Sequence, residues 1–589
     1  MNASQLLVNF DDISDASDAI PRLRRLILDI AVRGKLAEQD TQDETVAELI
    51  NRIRAEKLRL MKEGSVRKEK SAPSLAETES PFPIPPNWRW SQLGEVGFIN
   101  PRNNANDEAQ ASFVPMSLIS AQYGVPNKYE IRKWGEIKTG FTHFAVGDVA
   151  LAKITPCFEN GKSAVFSDLA GGIGAGTTEL HVVRPVLVNP AYILIFLKCP
   201  HFIESGIPRM TGTAGQKRVS TEYFAYSLFP LPPLAEQNRI VAKVNELMGL
   251  CDRLERAQAE RESRRDRLAA ASLHHLTNGA DAEGSRKQAT FCLGHLPQIV
   301  VRPEHIPALR QAILSLAVQG KLVQQNPEDG SSESLLSIVR EIREKAANRS
   351  KNSTVDDSDP KFVQHLPKSL PLGWASCPLE ELFRFIDYRG RTPTRTARGV
   401  RLITAKNVRM GHIANDPVEF IDERAYKAWM TRGLPQNGDL LFVTEGATMG
   451  FVGVIELQFV FALAQRTIDL QPYLPSYSRF SFFTLMSPIF QNAVLTNSTG
   501  TAVKGIKAAK LKRIRIPLPP LAEQQRIVAK VDELMALCDR LEEQLTRTQN
   551  GKRRLLDAVL SHALNTASES ADTATHSPIR NVDTAVSAI

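Results

Sequence analysis

Apolar residues recur at alternating spacings of four and three positions in two long stretches of the chain. The first stripe is Ile240, Val244, Leu247, Cys251 and Leu254, and the second is Ile527, Val531, Leu534, Cys538, Leu541 and Leu545. A repeat of about 3.5 residues is typical of the seam of a coiled coil, which is buried against a partner helix. The alternative is a single amphipathic helix that packs on a globular core.

The two stripes lie in nearly identical segments, and this favours the coiled coil. PLPPLAEQNRIVAKVNELMGLCDRLE begins at Pro230 and returns as PLPPLAEQQRIVAKVDELMALCDRLE at Pro517. Two such copies can pair about a pseudo-twofold axis, most simply antiparallel, with one further domain at each end. A continuous helix over residues 234–276 would be about 65 Å long, whereas one turn of B-DNA is about 34 Å. We therefore predict that the helix pair is a spacer.

A second repeated block precedes each of these segments. LRRLILDIAVRGKL at 23–36 returns as LRQAILSLAVQGKL at 309–322. Its apolar spacing predicts helix over residues 20–62, interrupted at Gly34, and again over 303–347. Because both blocks occur twice, the chain reads as a repeated helical scaffold that carries two long inserts.

The inserts, residues 83–232 and 366–516, differ in texture from the scaffold. Short β-rich runs, such as 147–154 and 191–197, are broken by Gly and Pro. The inserts also share short motifs at corresponding places: IPPNW ending at Trp88 and LPLGW ending at Trp374, Gly147-Asp148 and Gly438-Asp439, and TGTA at 211–214 and 499–502. Each insert has the usual size of a domain. We predict two divergent copies of one mixed α/β fold.

These patterns give an α+β fold class, in which two mixed α/β domains are separated by a pair of long antiparallel coiled-coil helices with pseudo-twofold symmetry. The predicted division is an N-terminal helical region and linker (1–82), the first insert (83–232), a central helical region with linkers (233–365), the second insert (366–516), and a C-terminal helix with a disordered tail (517–589).

Composition narrows the kind of partner. The chain has 589 residues and a formal net charge of +8, with a pI near 9.1, which favours a polyanionic partner over an acidic binding face. A basic surface without function is the alternative. The six cysteines form no CxxC pair and no zinc-like cluster, and Cys251 and Cys538 are interpreted as core residues. No signal peptide or membrane-length apolar run is evident, so we expect a cytoplasmic protein.

The positive charge is concentrated on the second insert, which has 20 Lys and Arg against 11 Asp and Glu, compared with 13 against 11 in the first. An arginine-rich segment contains Arg389, Arg391, Arg395, Arg398 and Arg401, and a basic run that follows the second TGTA contains Lys504 and Lys507. The first TGTA is followed by Gln216, Lys217 and Arg218. Gln can pair with adenine and Arg or Lys with guanine, so these residues are our candidates for DNA contact. A solvated arginine loop is the alternative for 389–401.

Motifs of known enzyme classes are absent from the sequence. The glycine-rich segment 171–180 lacks the GxGxxG spacing, and Gly161-Lys162-Ser163 has Pro156 where a phosphate loop needs glycine. No GxSxG, HExxH or Asn/Asp-Pro-Pro-aromatic motif occurs, and no His, Asp and Glu set has metal-ligand spacing. We predict no catalytic residues and no metal site. An enzyme with a degenerate motif and a scaffold that binds only protein remain the alternatives.

The duplicated PPLAEQ segment and the LxxxILxxAVxGKL block together resemble the specificity subunit of type I restriction–modification systems, in the branch with the conserved helix at the N-terminus. The resemblance implies that each insert is a target recognition domain for one half of a split, asymmetric site on double-stranded DNA. It implies that the helices set the gap between half-sites and bind two modification (methyltransferase) subunits, and through them restriction subunits. S-adenosylmethionine, ATP and magnesium are then expected in the partners, and no cofactor in this chain.

Overall fold

The protein divides into two compact units, which share the two longest helices. Unit 1 comprises residues 1–261 and 549–589, and unit 2 comprises residues 262–548. The computed structural model describes residues 18–63, 80–278, 294–295, 299–347, 362–363, 370–388, 393–500 and 503–569. The predicted disordered tail lies almost wholly outside these residues. None of the helices within the described ranges has the length and apolar character needed to cross a membrane.

Unit 1 opens with two scaffold helices and continues into a mixed α/β domain. Its helices are α1 (Ala19–Val32), α2 (Val46–Lys62), α3 (Leu93–Val96), α4 (Trp134–Ile137), α5 (Pro190–Lys198), α6 (Pro200–Gly206), α7 (Thr221–Tyr226) and the start of α8 (Leu234–Asn278). Its strands are β1 (Arg89–Gln92), β2 (Gly97–Ile99), β3 (Gln110–Val114), β4 (Glu130–Lys133), β5 (Thr142–Ala145), β6 (Val149–Ala152), β7 (Ser163–Val165), β8 (Ile173–Gly176), β9 (Leu180–Pro185) and β10 (Leu228–Leu231).

Unit 2 repeats this order of elements. Its helices are α9 (Ile306–Val318), α10 (Ser332–Ala347), α11 (Leu379–Leu382), α12 (Glu423–Trp429), α13 (Ser478–Met486), α14 (Pro488–Asn497), α15 (Ala508–Arg513) and the start of α16 (Leu521–Glu569). Its strands are β11 (Ala375–Pro378), β12 (Phe383–Asp387), β13 (Val400–Ile403), β14 (Phe420–Ile421), β15 (Leu440–Val443), β16 (Val452–Val454), β17 (Phe461–Leu463), β18 (Thr467–Pro472) and β19 (Arg515–Leu518).

The two units have closely similar sheet topologies, which differ in that the described residues of unit 2 contain no counterpart of β5. In unit 1 a four-stranded antiparallel sheet has the order β2-β9-β6-β7, and unit 2 has β12-β18-β15-β16. A second sheet, β4-β3-β8-β5, contains the parallel pair β3 and β8, and its counterpart β14-β13-β17 contains the parallel pair β13 and β17. The ends of each insert pair as antiparallel ribbons, β1 with β10 and β11 with β19. The two inserts are therefore built to one plan.

The apolar run 191–197, which we predicted as β-rich, is helical and forms most of α5. The side chain of Asn189 accepts a hydrogen bond from the Ala191 amide at 2.8 Å, and Pro190 occupies the first turn. These are the usual signals for a helix start. The prediction was wrong because α5 is buried on all sides, so it shows no helical alternation of apolar and polar residues.

Each insert is anchored to its scaffold helix at a glycine. Gly34 follows α1 with φ +70°, and a Cβ there would lie 2.3 Å from Cγ of Pro85. Gly320 follows α9 with φ +68°, and a Cβ there would lie 2.4 Å from Cγ of Pro371. Only glycine fits both the left-handed backbone and the approach of the proline. This contact explains why the GKL motif of the scaffold and the Pro-rich start of each insert recur together.

The duplicated LAEQ motif forms the first turn of both long helices. Gln237 and Gln524 donate side-chain hydrogen bonds to the carbonyls of Pro232 (2.9 Å) and Pro519 (2.8 Å), which fixes the entry into each helix. Four residues are buried, namely Glu236, Gln237, Glu523 and Gln524. The Trp374 indole N–H donates to Glu523 at 2.9 Å. Burial raises the pKa of both glutamates. The hydrogen bonds that the two carboxyls receive offset part of the cost of burying them.

Candidate nucleic-acid interface

The TGTA segment of unit 1 forms a tight loop, residues 211–218, which we call loop A. Thr211 and Arg218 exchange two backbone hydrogen bonds of 3.0 and 2.8 Å, and these close the loop. Loop A also bonds to the residues after β6, because the Thr155 amide donates to the Lys217 carbonyl and the Val219 amide to the Lys153 carbonyl, both at 2.9 Å. The loop is therefore held against the end of a central strand, where its side chains have a defined position.

Of the three candidates on loop A, two are free to reach outward and one is held in place. Gln216 and Lys217 are exposed. The guanidinium of Arg218 donates two hydrogen bonds of 2.9 Å to the two carboxylate oxygens of Glu179, and it lowers the pKa of that carboxyl. Because a bidentate pair fixes orientation as well as charge, Arg218 is presented in one direction.

The equivalent segment of unit 2, residues 499–505, is loop B, of which residues 501 and 502 lie outside the described residues. Thr499 and Gly505 exchange backbone hydrogen bonds of 2.8 and 2.9 Å. The Gly446 amide donates to the Lys504 carbonyl at 3.0 Å, as Thr155 does to Lys217 in unit 1. Lys504 and Lys507 are exposed, and Lys507 immediately precedes α15. The structure thus brings the candidates of both TGTA segments to the same place in the fold.

The arginine-rich segment does not form one uniform cluster. Arg389 and Arg391 lie outside the described residues, and Arg398 is exposed. Arg395 forms an ion pair with Glu419, with Nε and Oε2 2.8 Å apart. Arg401 in β13 donates to the Asn415 carbonyl at 2.6 Å and lies near the rings of Phe420 and Phe459. Arg395 and Arg401 therefore have partners within unit 2, and both Arg395 and Arg398 are open to solvent.

Arg466, which our sequence reasoning missed, lies beside loop B. It occupies a turn directly before β18 with φ +77°, and its side chain is 52% exposed. Its Nε lies 3.7 Å from Oε2 of Glu445, whose side chain is 45% exposed. Because Arg466 stands outside any basic run, composition gave no signal for it. Arg466 lies directly before β18, as Glu179 lies directly before β9, and this correspondence is visible only in the folded structure.

Two buried carboxyls lie in the same sheet of unit 2. Asp439 accepts hydrogen bonds from the Gln436 amide (2.7 Å) and from Gln471 Nε2 (3.2 Å), and burial raises its pKa to about 6. Asp469 in β18 is fully buried, and burial followed by the charge of Asp439 raises its pKa. In unit 1, Asp148 of the other Gly-Asp motif receives two hydrogen bonds of 2.8 Å from Arg184. Among the described residues no group of three or more potential ligands could hold a metal ion.

The predicted seam residues of both long helices lie in apolar cores of their own units. Ile240, Val244 and Cys251 are buried with the side chains of α1 and α2, and Leu247 and Leu254 pack against the same cluster. In unit 2 the buried set is Ile527, Val531, Leu534, Cys538 and Leu541, with Leu545 packed against it. The core interpretation of Cys251 and Cys538 is confirmed. Pairing of α8 with α16 stays a prediction, because residues of the same unit already bury each of the two stripes.

Comparisons with known proteins identify relatives over nearly the whole chain. Residues 431–548 match the type I restriction modification DNA specificity domain. The chain is 36% identical over 560 residues to the type I restriction enzyme EcoAI specificity subunit of Escherichia coli, covering 93% of this chain and 94% of that protein. It is 35% identical to the EcoEI specificity subunit of Escherichia coli, with the same coverage. A solved structure, the HsdS subunit from Thermoanaerobacter tengcongensis, is similar over 82% of this chain and 98% of that chain, with 23% identity and a TM-score of 0.44.

Proposed function

Since the chain belongs to the specificity subunits of type I restriction enzymes, we propose that it reads a bipartite, asymmetric DNA site, one half-site with each insert. The observation that carries this proposal is the repetition of a closely similar sheet topology with differing loops. Loop A and loop B occupy equivalent positions and share a lysine, Lys217 and Lys504, but on either side of it Gln216 and Arg218 stand against Val503 and Gly505. Two domains of one plan with different exposed loops can read two different sequences.

The long helices are proposed to set the gap between the half-sites. α8 has 45 residues and α16 has 49, so each is about 70 Å long at about 1.5 Å per residue. An antiparallel, pseudo-twofold pair of this length separates two domains by more than one turn of B-DNA, about 34 Å.

The chemistry is proposed to belong to partner subunits. Two modification subunits would bind the helices, hold S-adenosylmethionine and methylate an adenine in each half-site, and restriction subunits would bring ATP and magnesium. Because a methyltransferase must flip its target base out of the duplex, the task of this chain is to place those subunits at the correct adenine. In this proposal the chain itself catalyses nothing.

A methylation assay tests the division of labour. The full chain alone, incubated with DNA and labelled S-adenosylmethionine, should transfer no label, and its assembly with the modification subunits should methylate DNA at one bipartite motif. Replacing residues 83–232 with the corresponding insert of a relative should change one half-site and leave the other. Methylation by the chain alone, or a change in both half-sites, would contradict the proposal.

The spacer role is tested by lengthening both helices. One heptad inserted after Arg256 in α8 and one after Glu543 in α16, both exposed positions, preserves the face that each helix buries. Seven residues add about 10 Å, so the gap between methylated half-sites should grow by about three base pairs. A control insertion of the same heptad into α8 alone should impair assembly. An unchanged gap in the doubly lengthened chain would end the spacer idea.

A further inference from the structure

The positions around loops A and B correspond one to one, because the same backbone hydrogen bonds occur in both units. The Lys153 amide donates to the carbonyl of Glu179, and the Thr444 amide donates to that of Arg466, both at 2.9 Å. Val219 then donates to Lys153 as Ile506 donates to Thr444, again at 2.9 Å in each case. Glu179 and Arg466 are therefore equivalent positions. By the same reasoning Arg218 is equivalent to Gly505, and Ile154 to Glu445.

At one of these equivalent positions the charge is reversed, because Glu179 in unit 1 corresponds to Arg466 in unit 2. In unit 1 the carboxylate, Glu179, lies at the turn before β9, and the guanidinium, Arg218, lies on the loop. In unit 2 the guanidinium, Arg466, lies at the turn before β18, and the loop position is Gly505. In each unit one arginine therefore lies beside one carboxylate at the junction of the loop and the neighbouring strands. In unit 1 the arginine belongs to the loop, whereas in unit 2 it belongs to the turn before β18.

Arg466 contributes little to the fold of unit 2. Its ion pair with Glu445 is long, and both side chains are about half exposed, so the pair is screened by solvent. Its backbone has φ +77°, a left-handed conformation that favours glycine and is strained for an arginine. Arg466 is therefore a strained residue at the base of a candidate binding loop, and its side chain makes only a weak ion pair. Backbone strain of this kind clusters at functional sites.

We infer that Arg466 and Arg218 are the specificity-determining arginines of the two half-sites, each reading a guanine from the same junction but from opposite sides. The inference rests on the proposed function. A guanidinium has five N–H groups, so an arginine oriented by one carboxylate can still donate two parallel hydrogen bonds to O6 and N7 of guanine. In unit 2 the role of Arg218 is thus taken by Arg466, which lies at a different position of the same junction, and not by a lysine of the basic run that follows TGTA.

The test uses the full chain assembled with its two modification subunits. A plasmid library with randomised half-sites is methylated, and the modified adenines are read by sequencing. Arg466→Ala should relax the guanine preference at one position of one half-site by about 10- to 100-fold, with the other half-site unchanged. Arg218→Ala should do the same in the opposite half-site. Arg52→Ala, which removes an exposed arginine of α2 paired with Glu44, is the matched control for lost charge.

Arg466→Lys is a second variant, which keeps the test decisive if Arg466→Ala does not assemble with the modification subunits. It keeps the charge but cannot form the two parallel hydrogen bonds, so it should relax the same base and retain salt-dependent DNA binding. Unchanged base preferences in Arg466→Lys, or a loss that is uniform across all sequences, would overturn the inference and indicate a phosphate contact. Failure of the proposed function looks different, because the unaltered assembly would then show no bipartite motif at all.

Discussion

Replacing Asp439 with Asn should stabilise unit 2 at alkaline pH. The wild-type carboxyl is buried, and within the described residues its hydrogen-bond donors are neutral groups, the Gln436 amide and the Gln471 side chain. Asn keeps the acceptor oxygen and removes the charge. The substitution therefore isolates the cost of ionising this buried group.

The magnitude follows from the shift of the pKa from 3.8 to about 6. Between these values the folded unit holds a proton that the unfolded chain has released, so stability falls as pH rises through this window and stays reduced above it. About two pH units at 1.36 kcal/mol per unit amount to about 3 kcal/mol, and solvent screening leaves about 1–2 kcal/mol. For a unit of this size we expect Asp439→Asn to raise the melting temperature by about 3–6 °C at pH 8.

The assay is thermal unfolding at pH 5 and pH 8 and constant ionic strength, with hydrogen exchange of the β15 and β18 amides as a local measure. The gain at pH 5 should be about half of the gain at pH 8, because pH 5 lies near the middle of the window between the two pKa values. Asp148→Asn is the matched control, since it alters the same Gly-Asp motif in unit 1 but leaves the Arg184 cation without its carboxylate, and it should lower stability at pH 8. Our reasoning is wrong if Asp439→Asn destabilises unit 2 at pH 8, or stabilises it equally at both pH values.

Three further predictions concern the scaffold and the DNA. Gly320→Ala should lower the free energy of unfolding of unit 2 by about 2 kcal/mol or more, because of its left-handed backbone and its contact with Pro371, whereas Gly438→Ala, also left-handed but with open space around it, should cost less. Trp374→Phe should cost about 1–3 kcal/mol in chemical denaturation, since it leaves buried Glu523 without its donor. DNA affinity of the assembly should fall at least about 1,000-fold between about 50 and 200 mM salt, as measured by fluorescence anisotropy, if at least six phosphates are contacted; a flat salt response would argue against a phosphate-facing surface.

The scaffold could be predicted from sequence because its signals are local. The two long helices begin at Leu234 and Leu521 and were expected after Pro233 and at about residue 520. The interruption at Gly34 was also expected, and the structure ends α1 at Val32. Apolar spacing, a Pro before the first turn and a Gly after the last are properties of a few neighbouring residues. The fold class was correct as far as mixed α/β domains with long helices.

The candidate site could be predicted only in part, because its geometry comes from residues far apart in the chain. TGTA marked both loops, since a motif repeated in two divergent inserts stands out by itself. Arg466 and Glu179 gave no such signal, because their equivalence depends on backbone hydrogen bonds with Thr444 and Lys153. Arg401 was predicted from a basic run alone, and no sequence signal indicated that its side chain contacts Phe420 and the Asn415 carbonyl in the folded unit.

The antiparallel ribbons that join the two ends of each insert, β1 with β10 and β11 with β19, have an evolutionary consequence. Entry and exit points lie side by side, so a whole insert can be exchanged as a cassette while the surrounding frame keeps its geometry. The sequences that flank both cassettes are nearly the same, which gives homologous recombination a defined place to cut and join. On the proposed function, exchange of one insert by two crossovers, one on each side, would supply a new half-site without any change of the scaffold.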